Sequence, residues 1–462
     1  MNRYHLETLL PFAPEAVFGW HLRPGAFERL TPPWADVKVL ERRGGISDGG
    51  EVLLRVSRGP VSVNWRVRHT AFEQNRLFRD EQVDGPFAHW SHGHYFEGVD
   101  GHTRYSDEVE WDLPAGPLLK FVGGVAAARR ELDRMFRFRH RRLQDDLSMA
   151  ERYPGPPLRV AITGASGLLG TSLQNFLTTA GHEVIPVVRS QAKPGEVHWS
   201  PQRDYVDLDG LEGIDVLVHL AGESIAGGRW NAERKRAILE SREGGTRTMA
   251  RAVSMLRRPP KVVIGASAIG VYGDRGDEVL TEDAREGRGF LAEVTKRWEA
   301  AWAPLRGRSA RVVLLRLGML LSPAGGALGT MILPFKMGAG GRLGSGRQYV
   351  SWIDLDDAVG LIYHVMHRPT LRGVLNATAP QPVTNATFTT ILGQVLRRPT
   401  LLPVPKTAVR AIFGEMGEEL LLHGQRVMPA RAQESGYRFL RPALEDSFRF
   451  QLGEMEGASP SQ

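Results

Sequence analysis

Residues Leu158 to Ser190 constrain the fold more than any other stretch of this chain. An apolar run, Val160–Thr163, leads into Gly164, Gly167 and Gly170. Leu168, Leu169, Leu173, Phe176 and Leu177 then recur at helical spacing until Gly181, and a second apolar run, Val184–Val188, ends at Arg189. Strand, tight turn, helix, strand is the opening βαβ unit of a dinucleotide-binding fold. One glycine permits the turn, one lets the backbone approach a pyrophosphate, and one lets helix and strand pack closely. The expected phosphate cradle is Gly164, Ser166, Gly167, Leu168, Leu169 and Gly170, where the N–H groups of the helix start face the ligand. An NAD site calls for an acidic residue at the end of the second strand. Here that end reads Arg189-Ser190, a cation and a hydroxyl that suit a 2′-phosphate, so the expected cofactor is NADP. The competing role for Arg189 is a solvated surface charge.

The rest of the composition bounds the possibilities. The 462 residues suffice for two or three domains. The chain has no cysteine, which excludes disulfides, thiolate metal sites and a cysteine nucleophile, and fits a reducing cytoplasm. The net charge of +7 comes largely from scattered arginine without an aromatic-interleaved basic stripe, so nucleic acid is not an expected partner. No apolar run is long enough to cross a membrane, and the first residues do not read as a signal peptide.

Before Pro154 the texture changes. Runs at 37–40, 52–56, 61–67, 77–83, 88–96 and 103–111 alternate apolar and polar residues, as antiparallel strands do. A short helical pattern spans Pro14–Trp20 and a long one Leu118–Leu147, predicting a curved sheet wrapped on a helix with a cavity between. The stretches LETLLPFAPEAVFGWHLRPGAFERLTPPW, DEQVDGPFAHWSHGHYF and MFRFRHRRLQDDL resemble the START-like, or helix-grip, superfamily that includes polyketide cyclases. That resemblance implies a pocket for an apolar small molecule. His92 and His94 share one strand face and His89 has the opposite parity, but no carboxylate on that strand completes a ligand set. The expectation is therefore no metal, with hydrogen-bonded histidines instead, and core roles for Trp65, Trp90 and Trp111.

Beyond the break at Arg152–Pro157, strands are expected at Glu196–Trp199, Ile214–Leu220, Val262–Ser267 and Arg311–Leu317, with helices at Trp230–Thr246 and Leu291–Trp302. This alternation predicts an α/β fold with a doubly wound parallel Rossmann sheet. Ligands bind such sheets beyond the carboxyl ends of the strands, which places Leu220, Ala221 and Gly222 against a nicotinamide ribose. The segments ITGASGLLG, VLVHLAGESIAGGRW, GASAIGVYGDRG and HGQRVMPARAQESGYRF resemble the extended short-chain dehydrogenase/reductases, more narrowly an epimerase-like branch with its own C-terminal extension.

That class uses a Tyr-x-x-x-Lys pair, Tyr as acid/base and Lys holding the ribose. Alignment on Glu299 puts Leu291 and Thr295 in those places. Arg242 replaces an expected Asn and is expected at the cofactor phosphates; Ser267 is the displaced serine. Tyr272 is the candidate acid, with packing beneath the nicotinamide ring as its competing role. Asp354 and Asp357 read as helix caps, and Glu223 as able to reach the pocket. The glycine-rich loop from Gly325 to Trp352 is expected to be a substrate-covering flap.

The expected organisation is a helix-grip α+β domain over 1–152, a Pro-rich linker over 153–157, an NADP-binding domain over 158–395 and a small C-terminal cap over 396–452. The expected function is an NADP(H)-dependent oxidoreductase or epimerase-like enzyme acting on a small carbonyl or hydroxyl substrate. The alternative is a sensor that holds NADPH without turning it over.

Overall fold

The computed structural model describes residues 1–114 and 124–455. They fall into two compact units, one holding residues 1–154 and the other 155–177 with 182–449; the short stretches 178–181 and 450–455 group with the first.

In the first unit, seven strands form one antiparallel sheet: β1 (Asn2–Leu10), β2 (Asp36–Arg43), β3 (Glu51–Arg58), β4 (Val61–Glu73), β5 (Leu77–Asp84), β6 (His89–Val99) and β7 (His102–Asp112). Their order is β1-β7-β6-β5-β4-β3-β2. Register shifts in β2 and β4 mark bulges, which add twist and bend the sheet. Two short helices, α1 (Pro14–Leu22) and α2 (Ala26–Leu30), precede β2, and α3 (Val125–Glu151) follows β7. Leu132, Phe136 and Leu143 of α3 sit at helical spacing and are buried with the apolar face of the sheet. The start expected for this helix at Leu118 lies outside the described residues. The sequence reading does not anticipate β1, because exposed Leu9 beside Thr8 reverses the apolar alternation.

The second unit is built on an eight-stranded sheet. Its strands are β8 (Arg159–Thr163), β9 (Glu183–Val188), β10 (Val197–Ser200), β11 (Tyr205–Val206), β12 (Val216–His219), β13 (Val262–Ala268), β14 (Arg311–Leu317) and β15 (Gly373–Ala377). The order is β11-β10-β9-β8-β12-β13-β14-β15, parallel except for the β10–β11 hairpin. β8 pairs with β9 on one side and β12 on the other, so the winding reverses at β8 and opens a crevice at its carboxyl end. Helices α4 (Leu168–Thr179), α5 (Ala232–Met255) and α6 (Phe290–Ala300) connect strands, and Leu173, Phe176, Met249 and Trp298 are buried. This is the doubly wound sheet that the apolar runs predict.

The glycine-rich stretch expected as a flap contains a helix, α7 (Gly326–Lys336), with Leu328 and Phe335 buried. Its glycines lie mostly at the ends of an apolar run that still forms eleven helical residues. The C-terminal segment adds a helix at Lys406–Gly417, and its strand Arg426–Val427 pairs with Val279–Leu280.

Candidate functional site

The crevice at the end of β8 is framed by three glycines, and at two of them, Gly164 and Gly170, the side-chain position is already filled by backbone. Gly164 has φ +69°, and a Cβ there would stand 2.8 Å from the Leu220 carbonyl carbon. A Cβ on Gly170 would stand 2.2 Å from the Gly164 carbonyl oxygen. A Cβ on Gly167 would meet only that same oxygen, at 3.3 Å. Ser166 is exposed in the turn, and Leu168 and Leu169 open α4, where N–H groups lack carbonyl partners within the helix. Arg189 and Ser190 follow β9 and are exposed, and among the described residues Arg189 forms no ion pair.

The loop after β12, Leu220–Gly222, rests on a buried polar chain. Thr163 Oγ1 lies 2.8 Å from His219 Nδ1 and accepts from the Ala221 N–H at 3.3 Å. His219 Nε2 lies 3.2 Å from Thr246 Oγ1, which also accepts from Trp298 Nε1. Burial lowers the His219 pKa from 6.5 to about 4. The unfolded chain takes up this proton near pH 6.5 and the folded chain does not until about pH 4. Its contribution is therefore complete above pH 6.5 and falls by about 3 kcal/mol as the pH drops through that window. Unfolding measured from pH 7 to 4 should show His219→Gln with a pH slope shallower by one proton. An unchanged slope would place the uptake elsewhere.

Arg242 does not reach out to phosphate as expected. Its guanidinium is buried over the Trp298 ring and donates to the Glu223 and Ile238 carbonyls at 2.9 and 3.2 Å. Burial lowers its pKa to about 10. Arg242 thus anchors the loop that carries Gly222 and Glu223. Glu223 in turn pairs with Arg234 at 2.9 Å.

The two proposed catalytic hydroxyls are likewise turned inward. Tyr272 is 0% exposed; its hydroxyl donates to Asn376 Oδ1 at 2.7 Å and accepts from Arg316 at 3.0 Å. Ser267 is buried and donates to Glu299 Oε1 at 2.6 Å, and Glu299 takes a bidentate pair from Arg316 at 2.8 and 2.9 Å. The expectation that the Tyr272 phenol emerges toward a nicotinamide is corrected: the ring faces into the unit because Arg316 and Asn376 bind its oxygen there. Tyr272→Phe should cost about 1–3 kcal/mol, the loss of a buried hydrogen bond to a charged group, while NADPH affinity stays unchanged. Denaturant melts and NADPH titration of the same variant check both halves. Asp354 caps the helix Leu355–His367 through the Asp356 N–H, as expected, whereas Asp357 accepts from the Leu440 and Arg441 N–H groups.

The first unit encloses a cavity of about 280 Å³ lined mainly by apolar side chains, among them Phe27, Leu54, Trp65 and Trp90. Trp65 and Trp90 therefore face the cavity rather than serving only as core. A polar cluster occupies one wall. His92 Nδ1 lies 3.2 Å from Asp80 Oδ1, and His92 Nε2 lies 2.9 Å from Asp107 Oδ1. Burial alone lowers the His92 pKa, but the Asp80 charge and two carboxylate hydrogen bonds outweigh it and raise it to about 9. Asp107 is fully buried and also meets His94 Nδ1 at 2.7 Å and His140 Nε2 at 2.8 Å. The carboxylate missing from strand β6 is supplied by β5, where Asp80 stands opposite His92.

Comparison with known proteins places these features. Residues 160–376 match the NAD dependent epimerase/dehydratase family, residues 10–138 the polyketide cyclase / dehydrase and lipid transport family, and residues 404–451 a domain of unknown function (DUF1731). An epimerase family protein of Mycobacterium bovis is 44% identical over 281 residues, 61% of this chain and 93% of the relative. The chain belongs to the epimerase family. The fold of this family member also matches the nucleoside-diphosphate sugar epimerase of Corynebacterium glutamicum, with 34% identity and a TM-score of 0.81. That match covers 98% of this chain and 91% of the other. The human epimerase family protein SDR39U1, solved with NADPH, is 34% identical with a TM-score of 0.59, covering 63% of this chain and 98% of that one.

Within this epimerase family member, α6 carries the departure from Tyr-x-x-x-Lys. Thr295 is buried and its hydroxyl donates back to the Leu291 carbonyl at 2.8 Å. Lys296 Nζ donates to the Gly287 carbonyl. Glu419, from the C-terminal segment, accepts from the Phe290 and Leu291 N–H groups at 2.8 and 2.9 Å and caps the helix. A carboxylate at a helix start also suits the helix dipole. Glu419 lies 128 residues from Leu291, a separation that no local pattern bridges.

Proposed function

We propose that this epimerase family protein binds NADP(H) in the β8–α4 crevice and acts there on a small carbonyl or hydroxyl compound. The carrying observation is the exposed Arg189 just after β9, with no ion pair among the described residues, together with a turn in which Gly164 and Gly170 leave no room for a side chain. The residues fit the coenzyme. Gly164, Ser166, Gly167, Leu168, Leu169 and Gly170 offer backbone N–H groups to the pyrophosphate. Arg189 and Ser190 bind the 2′-phosphate. Leu220, Ala221 and Gly222, held by Arg242 and the Thr163–His219–Thr246 chain, present backbone to the nicotinamide ribose. The bound coenzyme supplies or accepts hydride. Ser267 and Tyr272 keep strand ends β13 and β14 in place from within. The human relative solved with NADPH supports this reading. In the same reading the cavity of the first unit takes an apolar small molecule, as its match to the polyketide cyclase and lipid transport family suggests.

Leu291 and Thr295 favour a second reading, in which NADPH is held as a signal and not consumed. Leucine carries no exchangeable proton. Loss of NADPH absorbance against a panel of aldehydes, ketones and sugar nucleotides separates the two. Turnover with any of them supports the enzyme; tight binding with none across the panel supports the sensor. Arg189→Gln should weaken NADPH by about 10–100-fold, the loss of a charge-assisted pair, and leave NADH unchanged. Equal weakening of both coenzymes would remove the 2′-phosphate assignment.

A further inference from the structure

We propose that the cavity of the first unit holds a divalent first-row transition-metal ion, ligated by Asp80, His92 and His94 with positions left open toward the cavity. The proposal is independent of the coenzyme reading.

The sheet brings the three ligands together. His92 and His94 are two residues apart on β6 and therefore share a face, and Asp80 is the cross-strand partner of His92 on β5. Among the described residues, these three place one donor atom each within 4.8 Å of one another. Asp80 Oδ1 lies 3.2 Å from His92 Nδ1 and 4.0 Å from His94 Nε2. Donors bound at about 2.0–2.2 Å to one tetrahedral ion stand roughly 3.4 Å apart, so small side-chain shifts complete the set. All three residues line the cavity.

The opposite ring nitrogens are held as metal-binding imidazoles usually are. His92 Nε2 and His94 Nδ1 both address Asp107 Oδ1, at 2.9 and 2.7 Å. Asp107 is itself fixed by His140, whose Nδ1 lies 2.7 Å from Thr8 Oγ1. A carboxylate behind each ring sets its tautomer and turns the other nitrogen toward the shared centre. The second nitrogen of His94 thereby faces the cavity beyond hydrogen-bond distance of Asp80. A packing role explains this poorly, because a wall of buried charges costs more than an apolar one of the same volume.

The chemistry of the donors selects the ion. Two imidazoles and one carboxylate suit zinc, iron(II), cobalt(II) or nickel(II). Calcium and magnesium call for oxygen donors instead. Three protein ligands leave at least one coordination position, and the cavity is where an apolar molecule bearing a carbonyl or hydroxyl oxygen would fill it.

The test uses the full chain, stripped with chelator and titrated with Zn²⁺ by calorimetry and with Co²⁺ by visible absorbance. One ion per chain is expected, with the intense d–d bands of a four- or five-coordinate Co²⁺ centre. His94→Gln should weaken Zn²⁺ by at least about 100-fold, and Asp107→Asn by about 10–100-fold. His89→Gln, on the same strand but of opposite parity, should bind as the parent does. Circular dichroism reports whether each variant folds. If His94→Gln does not fold, the parent's Co²⁺ spectrum decides alone. No stoichiometric Zn²⁺, a weak octahedral Co²⁺ spectrum, or equal binding by His94→Gln and His89→Gln would overturn the proposal.

Discussion

Gly170→Val is expected to abolish measurable NADPH binding at micromolar coenzyme. Even a methyl at this position would sit 2.2 Å from the Gly164 carbonyl oxygen and 2.9 Å from the Ala165 Cα. Both neighbours are backbone, so the turn must move rather than a side chain swing aside. Overpacking of this kind costs about 1–3 kcal/mol in stability. The same shift misaligns the N–H groups at the start of α4, and a further loss of about 2.7 kcal/mol in binding is 100-fold in Kd. Gly167→Ala is the informative partner. Its methyl meets only the Gly164 oxygen at 3.3 Å, so the fold should tolerate it while the pyrophosphate loses its close approach. Thermal melts and NADPH titrations of both variants separate the two effects. Undiminished NADPH affinity in Gly170→Val would exclude this turn as the phosphate site.

Arg316→Met is expected to cause the largest loss of stability, about 3–5 kcal/mol, the usual cost of breaking one side of a buried ion pair. Arg316 is nearly inaccessible and makes a two-pronged pair with Glu299, a hydrogen bond to Tyr272 and a stacking contact with its ring. Its removal leaves the Glu299 carboxylate with Ser267 as its hydrogen-bond donor. Tyr272 continues the chain to Asn376, whose amide reaches the Met428 carbonyl in the C-terminal segment. Strands β13, β14 and β15, helix α6 and the C-terminal segment therefore share one polar core. For a domain of this size the loss corresponds to a drop in Tm on the order of 10 °C. The double variant Arg316→Met with Glu299→Met should recover most of it, because no charge is then stranded. A single variant as stable as the parent would show that the network contributes nothing.

Six of the eight strands of the Rossmann sheet were legible, mostly as short apolar runs between turn residues, a composition that burial on both faces demands; β11, only two residues long, and β15 were not anticipated. The glycine turn was legible because its three positions lie within seven residues. What the sequence hid were the partners across space. Asp80 answers His92 from the neighbouring strand, a pairing set by the sheet register and invisible along β6 alone. The inward turn of Tyr272 depends on Arg316 and Asn376, 44 and 104 residues away. Arg242 reads as a phosphate ligand until Trp298 and the Glu223 carbonyl are seen to enclose it. Helix α7 was obscured by its flanking glycines, which set its ends without preventing the helix between them. Local pattern reported the scaffold; long-range contacts decided which side chains turn inward.

Calorimetric titration of the full chain with NADPH and then NADH tests the coenzyme site most directly. NADPH should bind at least about 10-fold more tightly, with the difference vanishing in Arg189→Gln. Heat from neither coenzyme, or tighter binding of NADH, would contradict the assignment.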